Sequence, residues 1–392
     1  MNDSRPTPPS VAEAFLRSLR KHGIDTVFAN AGTDFAPIIE ALVRIGDAED
    51  GIPEIVTVPH ENLAVAMAHG HYLATGKPAA VMVHVTVGTG NTVCALMNAY
   101  RDRIPLLLMA GRTPHTEYGH IASRNFPIHW GQENFDQAGI VREYTKWDYE
   151  LRSGQHPHDI LARALEVALT EPTGPVYLTL PREVLADPCT VESRVPRAAA
   201  VVTAEPQASA IAETADLIAA AKMPVIVTSH LGRDRAAVGV LAELADRYSI
   251  PVIQAGATAV NLPASHAMNT GQAGGALLEE ADGIVVIDSE VPWFPVRFTP
   301  ADNTRVVHLG IDPVYVRYPI RSFPTDLAVA GHPRRALELL ASALGHRDIG
   351  AAAADSRRQR VAAFREEREQ SRKAAVERGR TAQPISYAWV GE

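Results

Sequence analysis

Glu61 is a lone carboxylate at the head of an apolar, alanine-rich stretch, VPHENLAVAMAHGHYLATG at residues 58–76. A carboxyl group in a dry pocket keeps its proton more readily than one in water, and can then share it with a basic nitrogen or serve as an acid or base. His60 precedes Glu61, and His69, His71 and His84 lie near it in sequence or by strand order, so these three are candidates for proton handling, with hydrogen-bonded structural histidines as the alternative. The alternative for Glu61 needs no ligand: a helix-start carboxylate is stabilised by the positive end of the helix dipole. Two turns, NAGTD at residues 30–34 and VGTGN at residues 87–91, each follow an expected strand and open an expected helix, so each could offer backbone N–H groups to an anion. Neither completes a G-x-G-x-x-G and no Walker lysine follows, which leaves tight strand-to-helix turns as an equal reading. No metal site is expected, because His69 and His71 face different directions on a helix and His115, His120 and His129 are scattered.

The elements that must position these groups alternate. Ser10 and Glu13 stand in capping-box spacing before Val11, Phe15 and Leu19, which share one helical face that stops at Gly23. Short β-rich runs (IDTVFA, EIVTVP, AAVMVHVT, PLLLMAG) then alternate with helical stretches at residues 34–45, 61–75 and 92–100. A loop-rich section at residues 112–136 follows, then a helix near residues 159–169 and the strand PVYLTLP. Such alternation means parallel strands with crossover helices, and open sheets of this kind take ligands along the carboxyl edge of the strands, where Glu61 falls. The same rhythm resumes at residue 208 with PVIVTS, PVIQAG, GIVVIDS and RVVHLGID, and closes on a helix at residues 333–344. The fold class is therefore α/β, two doubly wound parallel-sheet domains. Residues 1–187 form the first, 188–205 a linker rich in proline and small residues, and 206–348 a Rossmann-like second. Residues 349–392 hold a solvated linker helix, its Glu and Arg side chains three or four apart, and then the start of a further helix.

Composition bounds the function. A chain of 392 residues with 46% hydrophobic and 21% charged residues suits a soluble enzyme or binding protein of at least two domains. A net charge of −8 with no basic block disfavours nucleic acid as a partner. The first ten residues lack a signal-peptide pattern and no apolar run spans a bilayer, so no membrane partner and a cytoplasmic location are expected. Cys94 and Cys189, both in apolar surroundings, are expected to be buried thiols.

Five ordered stretches resemble thiamine diphosphate (ThDP) enzymes of the acetolactate synthase-like family: GIDTVFANAGTDFAPIIEAL, PHENLAVAMAHGHYLATGKPAAVMV, VGTGNTVCALMNAYRDRIPLLLMAGR, GPVYLTLPREV and the second-domain segment from PVIVTS to NTG. The likeness spans residues 10–345. It implies a pyrimidine-binding domain followed by a central domain, with Glu61 as the catalytic group set against N1′ of the cofactor's aminopyrimidine, so that proton sharing there helps to remove the thiazolium C2 proton. It further implies that Gly32, Thr33, Pro59, Gly88, Thr89, Gly90 and Asn91 shape the cofactor pocket, with His69, His84, His129 and Gln132 as substrate-pocket candidates. The stretch GRTPHTEYGHIASRNFPIHWGQENFDQ is either a pocket wall or a surface loop. Where the family often has TSGPG this chain has VTVGTGN, and His69 and His71 stand where Asp and Tyr are common.

The resemblance stops short of the family's third domain, whose Gly-Asp-Gly motif and downstream Asn hold the diphosphate through Mg2+. IGDAEDG at residues 45–51 is only a charged loop. The expectation is a subunit of a hetero-oligomer whose partner supplies that domain and its metal, or else a truncation. The reaction expected is decarboxylation of a 2-oxo acid, or making or breaking a carbon–carbon bond beside a carbonyl with an aldehyde or acyl substrate. FAD in the central domain has no motif to support it. The competing readings are a non-catalytic nucleotide-binding or regulatory protein and an NAD-dependent oxidoreductase.

Overall fold

Ser10 opens the first helix as its spacing requires: its hydroxyl accepts from the Glu13 N–H, and the Glu13 carboxylate accepts from the Ser10 N–H at 2.5 Å. This is a computed structural model, and it describes residues 8–46, 51–154, 157–189, 201–272 and 274–392. Most of the linker at 188–205 and the centre of the charged loop at 45–51 lie outside the described residues. The chain divides into two units, residues 1–201 and 202–392.

In the first unit α1 (Val11–Lys21), β1 (Thr26–Ala29), α2 (Ala36–Ile45), β2 (Glu54–Thr57), α3 (Glu61–Thr75), β3 (Ala80–Val83) and α4 (Val85–Arg101) lead to β4 (Leu107–Arg112). They are followed by α5 (Ile128–Gly131), β5 (Asp148–Glu150), α6 (Pro157–Leu169), β6 (Val176–Pro181) and α7 (Arg182–Ala186). The six strands are all parallel and run β2-β1-β3-β4-β6-β5. Successive side chains leave a strand on opposite faces, so each strand feeds two cores. Leu107 and Met109 pack with α1 and α6, whereas Leu108 and Ala110 pack with Ala64, Val65 and Ala68 of α3 and Leu96 of α4. Each fully buried leucine here contributes about 1.5–3 kcal/mol relative to exposure. The alanines of α3 let that helix lie close to the sheet and to α4, and this closeness sets the depth at which Glu61 sits. From β1 the chain winds first to β2 and then across to β3, so the order reverses between β1 and β3, the place where open sheets form a ligand crevice.

The second unit contains α8 (Ala208–Ala220), β7 (Pro224–Thr228), α9 (Arg235–Tyr248), β8 (Val252–Ile253), α10 (Gly275–Glu279), β9 (Gly283–Ile287), β10 (Arg305–Gly310), β11 (Leu327–Ala330) and α11 (Pro333–Leu344). Its five parallel strands run β11-β10-β9-β7-β8. The helices α12 (Ala351–Gly379) and α13 (Tyr387–Val390) follow.

Four local expectations need correction. Helix α4 begins at Val85, so Gly88, Thr89, Gly90 and Asn91 lie inside a helix and not in a turn before it. Cys94 is exposed on the outward face of α4, between the buried Thr92 and Ala95, while Cys189 is buried. The helix at 351–379 is not wholly solvated, because Arg357, Val361 and Phe364, spaced four and three apart, are buried along one face. Strands β5 and β11 were not anticipated; β5 is three half-buried residues and carries no apolar run to reveal it.

Candidate active site

Glu61 is the first residue of α3, reached from β2 through Pro59 and His60. His60 is the N-cap, its Nδ1 accepting from the Asn62 N–H at 3.1 Å, and so it satisfies one of the orphan donors that Glu61 would otherwise answer. Glu61 itself is 8% exposed. Asn91, on α4, donates its side-chain N–H to Glu61 Oε2 at 3.1 Å, which leaves Oε1 without a hydrogen-bond donor among the described residues. Asn62 joins the same two helices by accepting from the Ala95 N–H at 2.9 Å.

The ends of β1 and β3 complete the cleft. Past β1, Gly32 leads into a 3-10 turn at Thr33–Phe35, where Asp34 is buried. Past β3, His84 caps α4, and its Nδ1 lies 2.5 Å from Asp34 Oδ1 while its Nε2 lies 3.1 Å from Gln132 Oε1. Val85 follows with φ 27°, an uncommon conformation for a β-branched residue, and its N–H meets Asp34 Oδ2 at 3.4 Å. Burial disfavours a charge on His84, but the hydrogen bond and charge of Asp34, aided by Gln132 and the charge of Glu61, outweigh it and raise its pKa.

The loop after β4 forms the remaining wall. Gln132 is tied there by its carbonyl, which accepts from Thr86 Oγ1 at 2.8 Å, and Gln137 donates to the Gly111 carbonyl and to Tyr177 Oη. His129 is buried; its Nδ1 accepts from the Asn125 N–H and its Nε2 faces Thr33 Oγ1 at 3.4 Å. Its pKa is lowered by burial first, then by the charges of Arg182 and Arg124, so it is the neutral histidine of the pair. The loop is held down by Glu133, which accepts from Thr113, Arg112 and Arg124.

Of the residues singled out in the sequence, Glu61, Asn91, Gly32, Thr33, His84, His129 and Gln132 thus come together at one edge of the sheet. Thr89 is buried, its hydroxyl donating to the Val85 carbonyl and meeting Tyr177 Oη at 2.9 Å, so it braces α4 from inside. A Cβ on Gly88 would lie 2.9 Å from Val83 Cβ, whereas Gly90 is exposed with open space about its Cα. Pro59 is exposed beside His60. His69 does not join the cleft: two turns along α3, its Nε2 lies 3.4 Å from Asp102 Oδ2 at the far end of α4. His71 meets the edge of Phe28. Asp34 was missed, because NAGTD reads as a tight strand-to-helix turn whose backbone, not its acid, would meet a ligand. Its true partner is fifty residues away.

Comparison with known proteins gives the arrangement its context. Residues 9–140 match the family model described as "Thiamine pyrophosphate enzyme, N-terminal TPP binding domain", and residues 211–340 match that family's central domain. The chain belongs to the thiamine diphosphate enzyme family. It is 29% identical over 317 residues to benzoylformate decarboxylase of Pseudomonas aeruginosa, covering 78% of this chain and 57% of that protein. It is 27% identical over 351 residues to an acetolactate synthase of Mycobacterium bovis, covering 86% and 54%. The fold matches the crystal structure of benzoylformate decarboxylase from Polynucleobacter necessarius with a TM-score of 0.71 and 22% identity, covering 87% of this chain and 62% of that one. The chain therefore spans little more than half the length of these relatives.

The ThDP family assignment fits the donor set. An aminopyrimidine would need a carboxyl oxygen that takes no other partner, and among the described residues Glu61 Oε1 accepts no hydrogen bond. Among the described residues no group of three or more His, Cys, Asp and Glu could hold a metal ion, and no described helix is long and apolar enough to cross a membrane.

Proposed function

We propose that this chain supplies the aminopyrimidine half of a ThDP-dependent active site that decarboxylates 2-oxo acids or makes or breaks a carbon–carbon bond beside a carbonyl. The observation that carries the reading is Glu61, buried at the head of α3, pinned at one oxygen by Asn91 and open at the other, beside the β1–β3 crevice. When bound, the cofactor supplies the nucleophilic carbon and the electron sink for such reactions. Glu61 would hold a proton at Oε1 to share with a ring nitrogen, and Asn91 would keep the carboxyl plane fixed so that the proton is delivered in one direction. Val58 and the alanines of α3 keep water from the buried side of the carboxyl. Gly90 leaves open space on the outward side of α4, and Gly32, Thr33 and the His84–Gln132 pair form the facing wall.

The names of the relatives, a decarboxylase and a synthase, support a 2-oxo acid or aldehyde-level substrate. In the same reading the diphosphate and its Mg2+ are held by a domain of another polypeptide, which makes the working enzyme a hetero-oligomer.

Titration calorimetry is expected to find no measurable ThDP and Mg2+ binding by the chain alone, and binding once a diphosphate-domain partner is added. Tight NAD or FAD binding without a partner would favour the oxidoreductase or regulatory reading instead. In the assembled enzyme, Glu61→Gln should slow exchange of the cofactor's C2 proton by two or more orders of magnitude, roughly the share of a positioned acid or base. Exchange at the original rate removes Glu61 from this role.

A further inference from the structure

The pair Asp34 and His84 ties the turn after β1 to the start of α4. Asp34 is 3% exposed, yet its carboxylate is engaged at both oxygens, by the His84 ring at 2.5 Å and by the Val85 N–H at 3.4 Å. Two glycines make room for it. A Cβ on Gly32 would fall within 3.0 Å of the His84 ring, and a Cβ on Gly111 within 3.0 Å of the Asp34 carboxylate, separations that real side-chain atoms do not adopt. Gly32 has φ −144° and Gly111 is an ordinary residue of β4, so neither is a glycine for its backbone conformation. Both are glycines for space, and the space is filled by this pair.

We propose that Asp34 is a positioning residue that anchors His84 through Nδ1–H and keeps the ring doubly protonated, with Nε2–H presented at the cleft wall as a fixed cationic donor. The hydrogen-bond pattern suits both protons: Nδ1 faces a carboxylate, and Nε2 lies 3.1 Å from the side-chain oxygen of Gln132. The charged and titratable groups facing His84 are Asp34 from the 3-10 turn, Glu61 from the head of α3 and His129 from α5, the last neutral; Gln132 carries no charge. The Asp34 carboxylate against the imidazole holds the proton on, and the upward shift of the His84 pKa has the same sign. This inference rests on the reading of the cleft as a ThDP site and deepens it. A preorganised cation beside the reacting centre favours a substrate that carries an anionic oxygen next to the carbon under attack, as a 2-oxo acid does. His84 would meet that oxygen by turning its Nε2–H from Gln132 Oε1 to the substrate, and Asp34 would act only through His84.

The test uses the full chain with 15N-labelled histidine, the His84 ring signals being assigned by their loss in His84→Gln. In the unaltered chain at pH 7 both ring nitrogens of His84 should show shifts of protonated nitrogen. Asp34→Asn, which keeps the shape of the side chain but removes its charge, should lower the proton affinity of His84 about tenfold or more, the size of effect a neighbouring carboxylate exerts. A neutral His84 at pH 7 in the unaltered chain overturns the proposal, and so does a midpoint that Asp34→Asn leaves in place. If Asp34→Asn does not fold, the unaltered-chain measurement decides the matter, with Gly32→Ala as the second variant, whose added methyl should displace the ring and lower the midpoint likewise. None of these measurements involves the cofactor, so their failure leaves the Glu61→Gln exchange result standing, and the converse holds.

Discussion

Gly88 and Gly90 lie two residues apart in α4 and serve different ends. Gly88 lets α4 lie against Val83, where a Cβ would come to 2.9 Å, so Gly88→Ala should destabilise the first unit by about 1–3 kcal/mol through overpacking. Gly90 faces open space within a helix, so Gly90→Ala should stabilise it by up to about 1 kcal/mol, the helix-propensity difference. Urea midpoints at an unchanged denaturant slope would check both. If the assembled enzyme carrying Gly90→Ala is more stable yet binds ThDP more weakly, this glycine belongs to the cofactor surface. At this scale the place of Glu61 at a helix start was legible because its surroundings are local: a β-rich run, a helix start, an alanine-rich face. Asp34 was not legible, since its meaning depends on a histidine at the end of a strand that pairs beside its own only once the sheet forms. His69 erred in the opposite sense. Its sequence distance from Glu61 is eight residues, which on a helix is more than two turns and places it against Asp102.

Among the elements, α12 shows how a charged helix can be docked by the charges themselves. Arg357 is 1% exposed and donates to the carbonyls of Ile218, Ala221, Lys222 and Tyr248, where α8 and α9 run out of internal partners. Each of those helix ends carries partial negative charge, which a buried guanidinium answers. Val361 and Phe364 continue the buried face, and Arg358 and Arg360 pair with Asp246 and Glu280 beside it. Arg357→Met should cost on the order of 3–5 kcal/mol, because it leaves buried carbonyls unpaired. Arg357→Lys should recover only part of the loss, since one ammonium cannot span both helix ends. Thermal unfolding of the two variants measures this directly. The i, i+3 and i, i+4 pattern of acids and bases predicts a solvated helix, and for the second half of α12 the exposure agrees. An arginine that seals helix ends has no signature in sequence. The start of α4 was missed for a related reason: two glycines cost a helix about 1 kcal/mol each, and only packing on Val83 and the Thr89–Tyr177 contact offset that.

For the whole molecule, each of the two units carries a histidine, and the two respond to pH in opposite directions. His308 in the second unit is buried between the Pro324 carbonyl and Arg321, and burial together with the Arg321 charge lowers its pKa to about 4. The unfolded chain would take up that proton near pH 6.5, so stability should fall as pH drops from about 6.5 towards 4, by on the order of 2 kcal/mol by pH 5. His308→Gln should flatten that slope in calorimetric scans between pH 7 and pH 5. His84 works the other way. Its raised pKa gives a contribution fully present below the ordinary histidine value and lost as pH rises through the folded-state value. By itself the sequence determined two parallel α/β units and the placement of Glu61 at a helix start on the carboxyl edge, because hydrophobic period, turn chemistry and helix caps act over a few residues and leave their marks in order along the chain. Tertiary structure alone decided which distant groups meet: Asp34 with His84, Gln132 from a loop with no regular pattern, Arg357 with two helix ends. Contacts between residues more than forty apart depend on strand order and on the space that glycines leave, and neither is written in any short stretch.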